Sequence, residues 1–497
     1  MTHGVLAADP ARATRGAARG GLANMAGSAL AGGVGVVVTW VVARRLGQAE
    51  AGAFFSATAA FVLAGGVAKL GTGTGLVYWP ARLRATGRDH LLGACLRTGL
   101  GPVVALSLAL AAALWFAAPN DTLRTLALFL PLQVLTDTLL TATRGYRSMR
   151  PTVLVDRVIR NVLQLLTVGA AALWFASLPG LALAWALPYL PAAVLAGLAA
   201  RRLYRAGRPT GATSRQVERR ALRREFWLFT GPRAVAAVAQ LALQRVDVLL
   251  VAALGGLGAA AVYAVAGRFV ILIQFANQGI SQSVQPRLAE ALSTGDRAAA
   301  NRLYQVATGW LVLITWPINL LVILFAPYYL RFFGDGYAAG TPVVRVLAVA
   351  MLVATGCGMV DMVLAMAGRT SLNLGNVLVA LAVTIGLDVL LIPRWGALGA
   401  AAGLAGAMVA NNLLPLVQVY RGTRLHPFGP GTRAAALLSI GCFGLLPQAV
   451  TALAGDGPAG LALATAVAVP AFTAGAWLLR DRLELGAFTR RNPQEAS

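Results

Sequence analysis

Fourteen long apolar stretches run through the chain, and its arginines fall into the gaps between them in alternation, one gap arginine-rich and the next nearly free of it. Each stretch holds roughly 20 or more mostly uncharged residues, enough at about 1.5 Å per residue to cross a hydrocarbon layer of about 30 Å. The spans are read at 22–46, 51–80, 91–117, 122–143, 151–176, 180–201, 227–254, 258–286, 301–326, 341–368, 371–392, 396–420, 432–453 and 457–479. A backbone in lipid must satisfy its own polar groups, so spans of this length are helices. The chain is therefore expected to be an all-α polytopic membrane protein of about 14 transmembrane helices.

Charge supplies the orientation. Of the 42 Lys and Arg residues, 29 lie in the two tails and in the gaps 81–90, 144–150, 201–226, 287–302, 369–370 and 421–433; only Arg44, Arg45, Arg124, Arg331 and Arg394 lie at the opposite ends. By the positive-inside rule both termini face the cytoplasm. A net charge of +24 would suggest nucleic acid in a soluble protein. Here the arginines are spread over short segments that would meet anionic headgroups, so the expected surroundings are membrane lipids and no nucleic acid. With 58% hydrophobic and 12% charged residues and a mean hydropathy of +0.70, a soluble chain could not hide its apolar surface. The first stretch lacks a convincing cleavage site and reads as a retained helix.

Several chemistries are disfavoured. Cys95, Cys357 and Cys442 are far apart in apolar helices, and His3, His90 and His426 are scattered over the tail and connections, so no disulfide framework, metal or cofactor site is expected. Glu50, Asp121, Asp335 and Asp456 stand singly in short outer connections, with no carboxylate pair suited to acid–base work, which argues against an enzyme. No phosphate-cradling Gly-Lys-Ser/Thr loop is present, so an ion gradient would have to bias movement.

The organisation expected is a cytoplasmic tail (1–21), an N-lobe (22–204), a basic linker (205–226), a C-lobe (227–424), two additional helices (425–480) and a cytoplasmic tail (481–497). Each block of six spans returns to the same side, which suits two parallel repeats around a central cavity. Leu46-Gly47 before Ala51-Gly52-Ala53-Phe54 is echoed by Leu254-Gly255 before Ala259-Ala260-Ala261-Val262-Tyr263 at the equivalent turn.

Charges inside the spans carry the functional information, because each costs about 2.5–3.5 kcal/mol at mid-bilayer on insertion scales and so faces a partner or a wet cavity. Lys69, Arg97, Arg157, Arg160, Arg233, Arg245, Arg268 and Arg345 outnumber Asp137, Asp156, Asp247, Asp361 and Asp388. Arg97, Asp156, Arg157, Arg160 and Arg233 are close enough to the cytoplasmic end to snorkel. Lys69, Arg245, Arg268 and Arg345 are candidates for an anionic ligand, since cations on cavity walls suit phosphate oxygens. Asp247, two residues after Arg245, is either a structural ion-pair partner or a site of proton or ion exchange, and Asp361 has no cationic neighbour in sequence.

Four segments resemble bacterial polysaccharide flippases of the multidrug/oligosaccharidyl-lipid/polysaccharide exporter superfamily. They are Asn24 to Gly52 with Ala43-Arg44-Arg45-Leu46-Gly47 and Phe54; Arg245-Val246-Asp247-Val248-Leu249-Leu250 with Tyr263, Ala266 and Arg268; Pro286-Arg287-Leu288-Ala289; and Leu387-Asp388-Val389-Leu390-Leu391-Ile392-Pro393 with Gly396 and Gly399-Ala400-Ala401. Asp388 stands where that pattern would carry asparagine. The resemblance implies two six-helix lobes, two further helices that form a groove for a lipid tail, and alternating access for an undecaprenyl-(pyro)phosphate-linked oligosaccharide. It also implies a bacterial plasma-membrane location; within that picture the charges in the spans are expected to act as follows, with Arg44, Lys69, Arg268 and Arg345 at the headgroup and Asp247 or Asp361 in ion coupling. Two alternatives stand beside it: an ion-coupled drug exporter of the same superfamily, which usually has twelve helices, and a scaffold that gathers glycan-synthesis proteins through 201–226.

Overall fold

A computed structural model describes residues 10–118, 120–146, 148–174, 177–206, 216–455 and 457–485. The expected tails 1–21 and 481–497 and the linker 205–226 lie partly outside the described residues. Among those described, the structure is all helix and turn, with no strand.

Among the described residues, thirteen helical stretches are long and apolar enough to cross a membrane. The remaining predicted span, 151–176, is also helical, as π-helical turns over Thr152–Ile159 followed by a helix over Arg160–Trp174. It differs from the others because Asp156, Arg157, Arg160 and Asn161 occupy its first half and Gln164 its middle.

The contacts divide the chain into two compact units, Met1–Arg245 and Val246–Ser497. The first contains α1 (Pro10–Arg45), α2 (Gln48–Ala68), α3 (Thr72–Ala85), α4 (Leu92–Ala117), α5 (Asp121–Gly145), α6 (Arg160–Trp174), α7 (Leu178–Ala186) and α8 (Tyr189–Ala206). Helix α9 (Gln216–Leu250) crosses the division. The second unit continues with α10 (Leu257–Ala266), α11 (Val270–Ser293), α12 (Arg297–Phe333), α13 (Thr341–Gly356), α14 (Val360–Met366), α15 (Thr370–Trp395), α16 (Ala397–Thr423), α17 (Pro430–Ser439), α18 (Leu446–Ala454) and α19 (Pro458–Leu478).

Three of the interruptions in the predicted spans trace to particular residues. The second span divides into α2 and α3 at Leu70 (φ 48°) and Gly71 (φ 69°). Gly71 is required there twice over: its left-handed φ disfavours a side chain, and an added Cβ would lie 2.6 Å from the Ala234 nitrogen of α9. The sixth divides at Leu187–Pro188 into α7 and α8, and the tenth at Gly358 (φ 73°) into α13 and α14. The Tyr304 hydroxyl donates to the Cys357 carbonyl at 2.6 Å at that last break, which answers an acceptor the interrupted helix leaves open.

In the first unit α5 is central, packed against α2, α3, α4, α7 and α8. Phe54, Phe61, Trp185 and Tyr189 form an edge-to-face aromatic core beside it. In the second, α12 packs on α11, α13 and α17, and α15 pairs closely with α16. The α15–α16 pairing explains the Leu-Ile-Pro and Gly-Ala-Ala motif. Gly396 makes the turn with φ 53°, and Gly399 lies against the Leu391 and Ile392 backbone where an added Cβ would sit at 2.5 Å.

Candidate functional site

A polar cavity of about 540 Å³ opens within the first unit. Its walls come from the break between α2 and α3, the last turns of α5, the π-helical turns before α6, and the middle of α9. Lys69, Arg144 and Arg157 line it, as do Asp137 and Asp156, so its lining side chains carry one net positive charge. Thr74, Thr141, Thr152, Gln240 and Gln244 add neutral hydrogen-bonding groups.

Sequence spacing puts these groups together. Lys69 caps α2 just before the helix breaks, which frees its ammonium to reach Asp137 at 2.9 Å. Asp137, Thr141 and Arg144 lie at i, i+4 and i+7 on one face of α5. The Thr141 hydroxyl donates to the Asp137 carbonyl at 2.8 Å, and Arg144 Nε donates to the Thr152 hydroxyl at 3.2 Å. Asp156 takes Arg160 Nε at 3.0 Å and stands 3.6 Å from Arg157 Nε.

Those pairings leave an unequal balance. Lys69 and Arg160 each have a close carboxylate, whereas no carboxylate among the described residues lies within ion-pairing distance of Arg144. Arg157 shares Asp156 at the longer distance. Two guanidinium groups thus line a partly wet pocket with forked donors to spare, the arrangement that holds phosphate oxygens. The snorkelling expected of Asp156, Arg157 and Arg160 is not what the structure adopts. Asp156 and Arg157 line the cavity, and Arg160 is inward, only 14% exposed, with its guanidinium 5.2 Å from the Tyr189 ring centroid.

A second cluster lies in the second unit. Asp247 is buried, accepts from the Tyr263 hydroxyl, and takes its neighbour Val248 N–H at 2.8 Å. Asp388 is fully buried on α15, close enough to feel the Asp247 charge. Neither Asp388 carboxylate oxygen has a hydrogen-bond partner among the described residues, and Gly403 of α16 gives it room. Asp247, Tyr263 and Asp388 thus bring two carboxylates and a phenol together in the buried part of the second unit, where charge is costly.

The other expected residues are dispersed. Arg44 is in the last turn of α1 and Arg245 is half-buried on α9. Arg268 lies in the single turn between α10 and α11, near Tyr329. Arg345 edges a recess of about 350 Å³ lined by Val346, Val349, Val353, Ala405 and Val409. Asp361 is exposed in the first turn of α14, where its carbonyl accepts from Asn373 at 2.9 Å. Lys69 is therefore the one expected ligand residue on the larger polar cavity, and Asp247 joins Asp388 rather than Asp361. The reading from sequence placed Arg144 among the topology determinants and passed over Gln240 and Gln244; their i, i+4 repeat within an apolar span was the available signal.

A further feature is apolar. Leu321, Val322, Phe325 and Tyr329 of α12 face Pro458, Ala462, Thr465, Ala466, Val469 and Pro470 of α19 across a groove of about 830 Å³.

The structure is similar to solved transporters, among them these three. One is the lipid II flippase MurJ in an inward closed conformation, with TM-score 0.69 and 13% identity over 92% of this chain and 98% of that one. Another is a multidrug resistance MATE family transporter of the MOP superfamily in an inward-facing conformation, with TM-score 0.60 and 14% identity over 80% and 94% of the two chains. The third is an MOP superfamily transporter from Pyrococcus furiosus, with TM-score 0.52 and 17% identity over 82% and 94%. At such identities the likeness shows the fold alone, one shared with these transporters. No curated protein matches the sequence. The model of the MatE family matches residues 232–393. The model of the polysaccharide biosynthesis protein family matches residues 17–292, more than half the chain, and the chain belongs to that family.

Proposed function

We propose that this chain flips an undecaprenyl-(pyro)phosphate-linked oligosaccharide from the cytoplasmic to the outer leaflet of a bacterial plasma membrane, by alternating access, for cell-envelope polysaccharide synthesis. The observation that carries the reading is the polar cavity of the first unit, where Lys69, Arg144 and Arg157 stand within a set of membrane-crossing helices. Moving a pyrophosphate and sugar through hydrocarbon is prohibitive without replacement partners for their water. The arginines and lysine supply those partners, while threonine and glutamine side chains suit sugar hydroxyls.

Membership of the polysaccharide biosynthesis family supports the substrate class. The groove between α12 and α19 suits a polyprenyl tail, which can stay in an apolar setting while its headgroup crosses. The Asp247–Tyr263–Asp388 cluster is the coupling site in this reading, filled by a proton or a monovalent cation. Arg44, Arg245, Arg268 and Arg345 serve as further headgroup contacts and Asp361 as a secondary titrating group. In this reading both termini face the cytoplasm, which the arginine distribution supports.

The test is reconstitution in liposomes with a fluorescent undecaprenyl-pyrophosphoryl saccharide, reading its exposure to an outer-leaflet quencher. Movement in wild type, lost in Lys69→Met at equal protein incorporation, is the expected result. Movement of cationic drugs but of no glycolipid, under proton or sodium gradients, would transfer the chain to the exporter reading.

A further inference from the structure

One turn beyond the polar cavity, the same two helices carry an exposed group of aromatic and arginine side chains. Tyr78 of α3 and Phe229 of α9 are stacked, with ring centroids 4.3 Å apart and planes at 16°. Trp79 meets Phe229 edge-on at 6.3 Å. Arg82 lies 5.2 Å from the Trp79 ring centroid and donates to the Tyr78 hydroxyl at 3.1 Å. Arg233 lies 3.8 Å from the Phe229 ring centroid and donates to that residue's carbonyl at 2.7 Å. Tyr78, Arg82 and Arg233 are exposed.

The group continues the cavity wall. On α9, Phe229, Arg233, Ala237, Gln240 and Gln244 fall within about 80° of one another around the helix axis, and the last three line the cavity. On α3, Thr74 lines the cavity and Tyr78 and Arg82 follow at i+4 and i+8. Tyr78 is thus about 6 Å along the axis from the cavity rim, roughly the width of a pyranose ring. A stripe facing lipid tails would be apolar; this one alternates aromatic rings with arginine, threonine and glutamine.

Phe229 lies between Tyr78 and the Arg233 guanidinium, so Tyr78, 39% exposed, is the ring that can offer a face to the C–H side of a sugar. No carboxylate among the described residues lies within ion-pairing distance of Arg82 or Arg233. Stacking on rings pre-orients both guanidinium groups, so that a ligand carboxylate could be held in forked geometry. We infer that Tyr78, Arg82 and Arg233, with Phe229 packed behind them, form a platform for a carboxylate-bearing sugar, the unit next to the pyrophosphate held by Arg144, Arg157 and Lys69. The inference rests on the proposed function and assigns the substrate class more narrowly: a glycan whose lipid-proximal sugar is a uronic acid or a similar acidic hexose.

The probes are three polyprenyl pyrophosphates, one bare, one bearing glucuronic acid and one bearing glucose, titrated against the full chain in neutral-lipid nanodiscs. Wild type is expected to bind the glucuronyl lipid about 10-fold more tightly than the glucosyl lipid, about 1.4 kcal/mol. Arg82→Gln with Arg233→Gln removes that preference and leaves the bare lipid's affinity unchanged. Tyr78→Leu weakens both sugar lipids and not the bare one. Equal affinity for the two sugar lipids in wild type, or a preference that survives the double substitution, overturns the platform while leaving the flippase reading intact. Loss of the preference on adding phosphatidylglycerol assigns the arginines to lipid headgroups and overturns it as well. Failure of all three lipids to bind overturns the proposed function together with the platform.

Discussion

Neutralising the two members of the Lys69–Asp137 pair should move pyrophosphate affinity in opposite directions. The pair is at 2.9 Å with side chains 34% and 27% exposed, so it is partly wet. A structural pair of that exposure contributes about 1–2 kcal/mol, and Lys69→Met and Asp137→Asn would each lose a similar amount of stability. A ligand pocket behaves differently. Asp137→Asn raises the net charge of the cavity lining from one to two, counting Lys69, Arg144 and Arg157 against Asp156 alone. A phosphate about 6 Å from the removed carboxylate gains about 3 kcal/mol at an effective permittivity of about 20, and water in the cavity reduces that further. About 10-fold tighter binding of a short-chain prenyl pyrophosphate is expected, with slower flipping because release slows. Lys69→Met should weaken binding by about the same factor and abolish flipping. Isothermal titration of the detergent-purified protein and the liposome quenching assay read the two quantities. Affinity changes of the same sign in both variants, tracking a common loss of thermal stability, would refute an anion site and leave a structural ion pair.

Gly71→Ala should lower the thermal unfolding midpoint in detergent, since a left-handed alanine costs about 1–2 kcal/mol and its Cβ meets the Ala234 backbone of α9; an unchanged midpoint would show that the break between α2 and α3 tolerates a side chain. Asp247→Asn and Asp388→Asn should each leave headgroup affinity within about 2-fold while removing the dependence of flipping rate on the imposed gradient, because they alter a cluster on α9, α10 and α15 and not the cavity; retained gradient dependence in both would exclude that cluster from coupling. Ala466→Trp projects an indole into the α12–α19 groove and should slow a long-chain substrate at least 10-fold with no effect on inorganic pyrophosphate binding; equal flipping of short and long chains by wild type and variant would separate the groove from transport.

The spans were legible because lipid imposes length and apolarity on any helix that crosses it, and that constraint is local in sequence. The interruptions were less so. Pro188 was visible, but Leu70-Gly71 and Gly358 sit in glycine-rich stretches where many glycines look alike. Their meaning comes from the neighbours, Ala234 in one case and Tyr304 and Thr308 in the other. The close α15–α16 pairing gives a physical reason for a motif first recognised by resemblance alone, since Gly399 admits no side chain against Leu391.

Site residues divided along the same line. Lys69 and Asp247 stood out as charges in apolar spans, and the structure gives each a specific partner. Arg144 and Arg157 looked like headgroup anchors because a charge near a span's end is cheap wherever it points, and periodicity does not say which way. Sequence by itself determined an all-helical membrane chain of about fourteen spans and the arginine asymmetry of its gaps, because both follow from the free energy of single segments in lipid. Tertiary structure decided which charges converge: Asp137 of α5 reaches Lys69 sixty-eight residues earlier, and Asp388 of α15 comes close to Asp247 of α9. Such convergence depends on helix rotation and on glycines that let backbones approach, and neither is encoded in the apolar pattern of any one span.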